Sequence, residues 1–480
     1  MRSIALLTCL FVLVGCETSE SSTAELVDAP CVLSDLAIEG RSRSCHTLRV
    51  PERRRAPNDR TIGLHVEMWQ PDDPTLAARP PIVFLNGGPG FSLIAYDGLG
   101  MLRSLVEHAR RPVWLLEQRG NGLSDPALCP EVRGFQPTQA QQMACASALL
   151  AASVDAAAYN SEEAAADVVD LIRATDTERV VLWGHSYGSG LAQHAARQAP
   201  ERIEALVLEG YATPTGPFDY PVEERFAVYG RFLAWRAARC AEEPACRAAY
   251  PEGVGDGIAD ATAVQALFMA QPGLQIPIDG DVALDGGRFE RWVSSGLGSL
   301  YGMLLFAELT GAIAASSPED DAPWRAWLAR VGAGDEAAGR RRVADYLRGV
   351  DQAAVLWAVQ TVRNCFDRRH SGSECEAFAG SPYGAGFSVP AGGDAPTLIL
   401  QGDIDFQSNP RVAAQSLASF SRGALPALGE CATHFVLLEN AACIGPRVEA
   451  WLADPTQPFD TSCALARCEA VVPLSERATP

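Results

Sequence analysis

The sequence predicts an α/β protein whose mostly parallel sheet is interrupted by a helical insertion. Three observations carry that expectation. Short apolar runs at Pro81–Leu85, Pro112–Leu116, Val180–Trp183, Ala205–Leu208 and Thr397–Leu400 suit strands buried on both faces. Helical patterns stand between several of them. A long segment of helical periodicity, rich in Ala, Arg and Trp, separates the fourth run from the fifth.

Taken in order, Leu64–Gln70 alternates as an early strand, and Pro81–Leu85 runs into the turn Asn86-Gly87-Gly88-Pro89-Gly90. Glycines at a strand's end let a ligand approach the backbone closely. Pro112–Leu116 is followed by Glu117-Gln118-Arg119-Gly120-Asn121-Gly122-Leu123-Ser124. Ser161–Thr175 reads as an amphipathic helix with Ser161 as its N-cap, Glu162 and Glu163 in the first turn, and Ala165, Val168, Val169 and Ile172 on one face. After Val180–Trp183 a helix is expected over Leu191–Ala199, ended by Pro200. In the insertion, Phe226, Tyr229, Leu233 and Ala237 are spaced as one buried face. Val293–Ala315 is its most apolar part, and Glu308 with several glycines favours a buried helix over a membrane span. Phe435–Leu438 reads as another strand, while Arg53–Arg55 and Arg340–Arg342 read as solvated runs.

The first residues form a targeting segment, with Arg2 as its charged start and Ile4–Val14 too short an apolar stretch to cross a bilayer. It closes with Leu13-Val14-Gly15-Cys16, which resembles a bacterial lipobox and implies lipidation of Cys16. An exported chain follows, either anchored to a membrane of the bacterial cell envelope through that lipid or secreted. The domains expected are a signal peptide (1–16), a tether and extension (17–44), a first core part (45–212), a helical cap (213–388) and a second core part with a cysteine-rich tail (389–480). Twelve cysteines besides Cys9 and Cys16 suggest disulfides between sequence neighbours: Cys31/Cys45, Cys129/Cys145, Cys240/Cys246, Cys365/Cys375, Cys431/Cys443 and Cys463/Cys468.

The net charge of −20 argues against nucleic acid as a partner. All 39 basic residues are arginine, which excludes lysine chemistry: a pyridoxal phosphate Schiff base, a Walker A loop, a Ser-x-x-Lys nucleophile. The seven histidines show no metal-ligand spacing, so neither metal nor other cofactor is expected.

Between the strand Val180–Trp183 and its helix lies Gly184-His185-Ser186-Tyr187-Gly188, a GxSxG. On a tight strand-to-helix turn this pattern exposes the serine hydroxyl at a helix N-terminus, which makes Ser186 the candidate nucleophile. A hydroxyl needs a neutral imidazole to take its proton and a carboxylate to orient that imidazole, so activity is expected to fall as the pH drops through about 6 to 7. On this kind of sheet the chain order is serine, acid, histidine. His434 is the one histidine after Thr397–Leu400, and of the acids there Asp405 is preferred to Asp403 because it lies further out on the loop. His185 and His194 are expected to be structural or solvated. Two N–H donors must face the developing oxyanion, here those of Tyr187 and Gly88.

Together these residues resemble the α/β-hydrolase group containing prolyl iminopeptidase and the bacterial tripeptidyl aminopeptidases. Gly87-Gly88-Pro89-Gly90 is similar to its GGPG turn and Gln118-Arg119-Gly120-x-Gly122-x-Ser124 to its DQRGxGxS, with Glu117 in place of the aspartate. Cys443 and Cys463 resemble cysteines that follow the histidine in the tripeptidyl branch. The resemblance implies an α/β-hydrolase fold with an inserted helical cap, and release of residues from a peptide's free N-terminus. It also implies cap carboxylates that bind the substrate amine, for which Glu209, Glu223 and Glu224 are candidates by position. A small acyl compound is the other substrate class considered, because triads are shared across chemistries.

Overall fold

The computed structural model describes residues 24–464 except short interior stretches, the longest being 248–256 and 368–390, within which Cys375 alone is described. Cys16 and the rest of the targeting segment lie outside the described residues, as do His370, Cys246 and Cys468.

Nine strands build one sheet in the order β1-β2-β3-β5-β4-β6-β7-β10-β11. Here β1 is Glu25–Asp28, β2 Arg41–Pro51, β3 Thr61–Pro71, β4 Ile82–Leu85, β5 Val113–Leu116, β6 Val180–His185, β7 Ile203–Glu209, β10 Thr397–Leu400 and β11 Gly423–Ala424. Pairing from β1 through β3 to β5 is antiparallel, and from β5 to β11 it is parallel. Strands β4, β5 and β10 are buried at every residue, as expected where helices cover both faces. One face packs with Leu85, Leu116, Leu182 and Leu206, the other with Phe84, Trp183, Val207 and Leu400.

A third apolar cluster belongs to the insertion, around Phe232, Trp292, Phe306 and Trp327. The insertion is not wholly helical: β8 (Ile276–Asp279) and β9 (Val282–Leu284) form a two-stranded antiparallel sheet within it. Its first helix, Val222–Glu242, turns Val228, Tyr229, Phe232 and Trp235 inward, and Ala237 is exposed, so the buried face is rotated from the expected stripe. Long aromatics took the interior places. Glu308 sits in the helix Leu300–Ala314 and pairs with Arg236 at 3.1 Å. Among the described residues no helix is long and apolar enough to cross a membrane. The last helix of the insertion, Trp357–Phe366, packs through Ala358, Val359 and Phe366 into the first sheet cluster rather than the insertion's own.

Several local expectations are corrected. Asn160, not Ser161, caps the helix Ser161–Ala174 by accepting from Glu163 N at 3.0 Å, and Ser161 is the first helical residue. Phe435–Leu438 is not a strand. Val436–Glu439 forms a short helix, because Leu437 N donates to the Glu209 carboxylate at 2.8 Å instead of joining a ladder. Arg53–Arg55 is not a solvated run: Arg54 pairs with Glu163, Asp167 and Asp170, which recur every three or four residues along one helix face. Burial of those acids requires a cation. Of Arg340–Arg342, Arg341 is exposed, while Arg340 bonds Glu336 and Ile278 O.

Cys31–Cys45, Cys129–Cys145 and Cys365–Cys375 are disulfides, as nearest-neighbour pairing expects. Cys443 instead bonds Cys463, which overturns the pairs Cys431/Cys443 and Cys463/Cys468. Cys443 lies in the first turn of the helix Ala441–Ala453, and the chain that leaves this helix returns Cys463 to it. Cys240 and Cys431 are also disulfide-bonded.

Candidate active site

Strand β6 ends at His185, and the helix Tyr187–Gln198 begins two residues later. Ser186 between them has φ 55° and ψ −127°, a conformation that non-glycine residues adopt only when the surroundings impose it. The flanking glycines show what imposes it. A Cβ at Gly184 would collide with the Gly188 carbonyl, and one at Gly188 with the Leu85 carbonyl, so the helix start lies directly on β4. Ser186 N donates to Glu209 O at 2.7 Å, which ties the turn to the end of β7. The serine is partly exposed in an otherwise buried stretch.

Asp405 lies in the loop after β10, fully buried, and its two oxygens are saturated. Oδ1 accepts from Gln407 N and Ser408 N, both at 2.8 Å, and Oδ2 from Ser408 Oγ at 2.6 Å, Gln401 Nε2 at 2.8 Å and His434 Nδ1 at 2.8 Å. Burial alone would push this carboxyl up, but the His434 imidazole and these donors outweigh it and hold the group below its ordinary value. Asp403 is exposed, and its carbonyl accepts from Arg231 Nη2 at 3.0 Å. Ile404 and Phe406, the neighbours of Asp405, pack into the insertion's apolar cluster, which fixes the loop from above.

His434 therefore holds Nδ1 against a carboxylate, and its buried Nε2 has no hydrogen-bond partner among the described residues. Gly210, next to Glu209, is the point of contact: a Cβ there would stand 2.6 Å from His434 Cε1. The ends of β6, β7 and β10 thus bring Ser186, Asp405 and His434 to one edge of the sheet. An imidazole oriented by carboxylate and open at Nε2 can accept a proton from a hydroxyl. Such hydrogen bonds often tighten only once substrate is bound.

The GGPG turn lies against the serine, since a Cβ at Gly87 would be 2.6 Å from Ser186 Cβ. Gly88 has φ +113°, and a Cβ there would approach Gly90 N to 2.7 Å. Tyr187 opens the helix, so its N–H lacks an intrahelical acceptor. Its phenol points away to Ser161 Oγ at 2.7 Å.

The second glycine motif explains the first. Gln118 Nε2 donates to Asn86 O at 2.7 Å and Asn121 Nδ2 to Phe91 O at 2.5 Å. Glu117 Oε2 accepts from Ser92 Oγ at 2.6 Å and Leu93 N at 3.0 Å. Segment 117–121 is thus the cradle of turn 86–93. Burial raises the Glu117 carboxyl to about 7 despite those donors. Arg119 turns away and binds Asp167 through Nε at 2.7 Å and Nη2 at 2.6 Å. Leu356 N donates to Gly90 O at 2.9 Å, and Arg363 bonds the Gln118 side chain and Arg119 O, so the helix Trp357–Phe366 closes over the turn. Arg363 was not legible in advance; its only signal is an arginine in an apolar helical run.

Of the amine candidates, Glu209 is fully buried and accepts from Trp183 Nε1 at 3.0 Å and Leu437 N at 2.8 Å. Burial raises its carboxyl to about 7, and these two donors hold it inside the fold. Glu224 accepts from Asn409 Nδ2 at 2.7 Å and pairs with Arg411 at 2.9 Å. The side chain of Glu223 lies outside the described residues. His185 and His194 are buried, His185 between Tyr96 and His434 and His194 with Nε2 at 3.0 Å from Pro214 O.

A family model described as the alpha/beta hydrolase fold matches residues 80–248. Among solved structures, the chain is similar to a serine hydrolase from the polyaromatic hydrocarbon-degrading bacterium Cycloclasticus zankles at 13% identity and TM-score 0.35, covering 85% of this chain and 98% of that one. An epoxide hydrolase from Vigna radiata has 15% identity and TM-score 0.38 over 87% and 99% of the two chains. An esterase from Exiguobacterium antarcticum has 13% identity and TM-score 0.34 over 82% and 96%. No curated protein matches. The fold is the α/β-hydrolase fold, with a largely parallel central sheet and helices.

Proposed function

We propose that the protein is an exported serine hydrolase that releases residues from the free N-terminus of peptides. Ser186 attacks the scissile carbonyl while His434 takes its proton, Asp405 holds the imidazolium, and the N–H groups of Gly88 and Tyr187 bind the oxyanion. His434 returns the proton to the leaving amine, and water then releases the acyl group by the same steps. No cofactor is required. The observation that carries the hydrolytic part is the His434 imidazole, bonded to Asp405 at 2.8 Å through Nδ1 and open at Nε2 beside the strained serine turn. The peptide part rests on the two glycine motifs, which the fold joins into one support. Export and a lipid at Cys16, holding the protein to a membrane surface, rest on the N-terminal sequence and agree with the disulfides.

A second reading, a carboxylesterase or other hydrolase of small acyl compounds, is favoured by the placement of the acids. Glu209 is occupied inside the sheet and Glu224 is paired with Arg411. A panel of chromogenic di- and tripeptide amides with free and blocked N-termini, set beside acyl esters, separates the two. Cleavage of free amides, lost in Ser186→Ala, is expected. Turnover of esters only would establish the second reading, and undiminished turnover by Ser186→Ala would end both. Retention of labelled fatty acid by the full chain but not by Cys16→Ser tests the anchor.

A further inference from the structure

The residue before the serine has a role of its own. His185 Nε2 lies 3.2 Å from the His434 carbonyl oxygen, which can only accept, so this nitrogen carries a proton. His185 is fully enclosed, with its ring stacked on Phe435 at 4.8 Å between centroids. Burial, and then the neighbouring His434, hold it well below the ordinary imidazole value, so the ring is neutral and Nδ1 is bare. Tyr96 stands 2.7 Å from Nδ1 and must therefore donate its hydroxyl proton there. The tyrosine oxygen in turn accepts from Gly87 N at 2.7 Å. Every donor and acceptor in the chain from Gly87 through Tyr96 and His185 to His434 is determined.

We propose that Tyr96 and His185 are positioning residues, a buried two-side-chain strut that sets the oxyanion turn and the backbone of the general base at a fixed separation around the nucleophile. The strut joins three segments distant in sequence. Gly87 precedes the Gly88 donor, His434 is held by its ring at Asp405 and by its main chain at His185, and His185 is covalently joined to Ser186. Neither side chain touches substrate. Both act through the geometry of others, where a displacement of about 1 Å can cost on the order of a hundredfold in rate. Phe84 and Phe91 hold the Tyr96 ring edge-on, at 5.7 and 6.3 Å, so that removing the hydroxyl need not move the ring.

The inference rests on the serine-hydrolase reading for its effect on rate, but not for the strut itself. Tyr96→Phe keeps the packing and deletes the central oxygen; His185→Phe keeps the stacking and deletes both bonds. His185→Gln can still accept from Tyr96 and donate to His434. In the full-length protein, kcat on the best substrate of the panel should fall about tenfold to a hundredfold in the two phenylalanine variants with KM little changed, and His185→Gln should recover part of the loss. Amide exchange at Gly87 should accelerate in Tyr96→Phe, and the nitrogen shifts of His185 in the wild type should report the Nε2–H tautomer. Folded variants with wild-type kcat, or a loss confined to KM, would overturn the positioning role. Unchanged Gly87 exchange or the opposite tautomer would overturn the strut. A wild type that turns over no substrate and resists a fluorophosphonate, yet shows the exchange and shift changes, would remove the serine-hydrolase reading while leaving the strut in place.

Discussion

Arg363 and Gln118, 245 residues apart, are joined by a hydrogen bond from the guanidinium to the side-chain oxygen, with both residues buried. Gln118 spends its amide nitrogen on Asn86 O at 2.7 Å, so the insertion's last helix reaches the oxyanion turn through one glutamine. Arg363 also donates to Arg119 O at 2.9 Å and stacks over Tyr187 at 5.3 Å, and these three bonded or stacked neighbours are all uncharged at their contact atoms or held in other pairs.

Arg363→Met should therefore lower unfolding stability by about 2 to 4 kcal/mol, since it strips a buried charged donor from acceptors that water cannot reach. Turnover should fall as the turn loosens. Arg363→Lys should not restore it, because one ammonium cannot span the acceptors of a planar fork. Urea denaturation and steady-state kinetics check both statements, and a lysine variant of full stability and rate would contradict them.

Strain at the serine gives the opposite sign. With φ 55° and ψ −127°, residue 186 occupies a conformation costing about 1 to 3 kcal/mol for an ordinary side chain and little for glycine. Glycine's greater freedom in the unfolded chain offsets about 0.5 to 1 kcal/mol of that relief. Ser186→Gly should thus be inactive and more stable than Ser186→Ala by up to about 2 kcal/mol. Thermal melts of the two variants decide it, and an alanine variant melting above the glycine one would refute the strain.

Stability should peak at a more acidic pH than neutrality. Burial raises Glu117 and Glu209 to about 7, so between about 4.3, the ordinary glutamate value, and 7 the native state binds protons that the unfolded chain does not. Stability therefore falls as pH rises through that window. Asp405 acts in the other direction: its lowered value contributes stability above about 3.9 that is lost as the pH falls further. Urea midpoints should rise from pH 8 to pH 5 and drop below pH 4, with the first slope reduced in Glu117→Gln and Glu209→Gln. Equal slopes in the wild type and both variants would be incompatible with buried, raised glutamates.

Asp167 is the anion on which two arginines converge, Arg119 through Nε at 2.7 Å and Arg54 through Nη2 at 2.9 Å. Asp167→Ala strips buried Arg119 of its bidentate partner, leaving Glu163 at 3.6 Å, and should destabilise by about 3 to 5 kcal/mol. Because the Arg119 side chain turns away from turn 86–93 and ties Pro51–Glu52 to the helix Ser161–Ala174, kcat of the folded fraction should change little. A loss of kcat without a loss of stability would show that the cluster acts on the site.

The buried strands were legible because burial on both faces writes continuous apolar runs, and Val180–Trp183 and Thr397–Leu400 fall within or match the observed strands. The turn at Ser186 was legible because a close approach of backbones admits only glycine at 184 and 188. Asp405 was preferred to Asp403 on loop position alone; its 2.8 Å contact with His434 Nδ1 is a tertiary fact that loop position does not encode. Other features depended on partners far along the chain. Leu437 left the strand pattern because Glu209 offered its N–H a carboxylate. Arg54 left the solvent because three acids on another element required a cation. Cys443 passed over Cys431 because the chain leaving its own helix folds back and brings Cys463 to it.

What the sequence by itself determined is the local: where strands and helices alternate, which serine sits on a turn too tight for side chains, and in what order acid and histidine follow it. Only the tertiary structure decided which buried polar groups meet. Tyr96 on His185, Arg363 on Gln118 and Arg54 on Asp167 are pairings between residues 89, 245 and 113 positions apart, and no local propensity encodes them. Apolar periodicity is written within each element, whereas a hydrogen bond withdrawn from water is specified only when two elements have already been packed together.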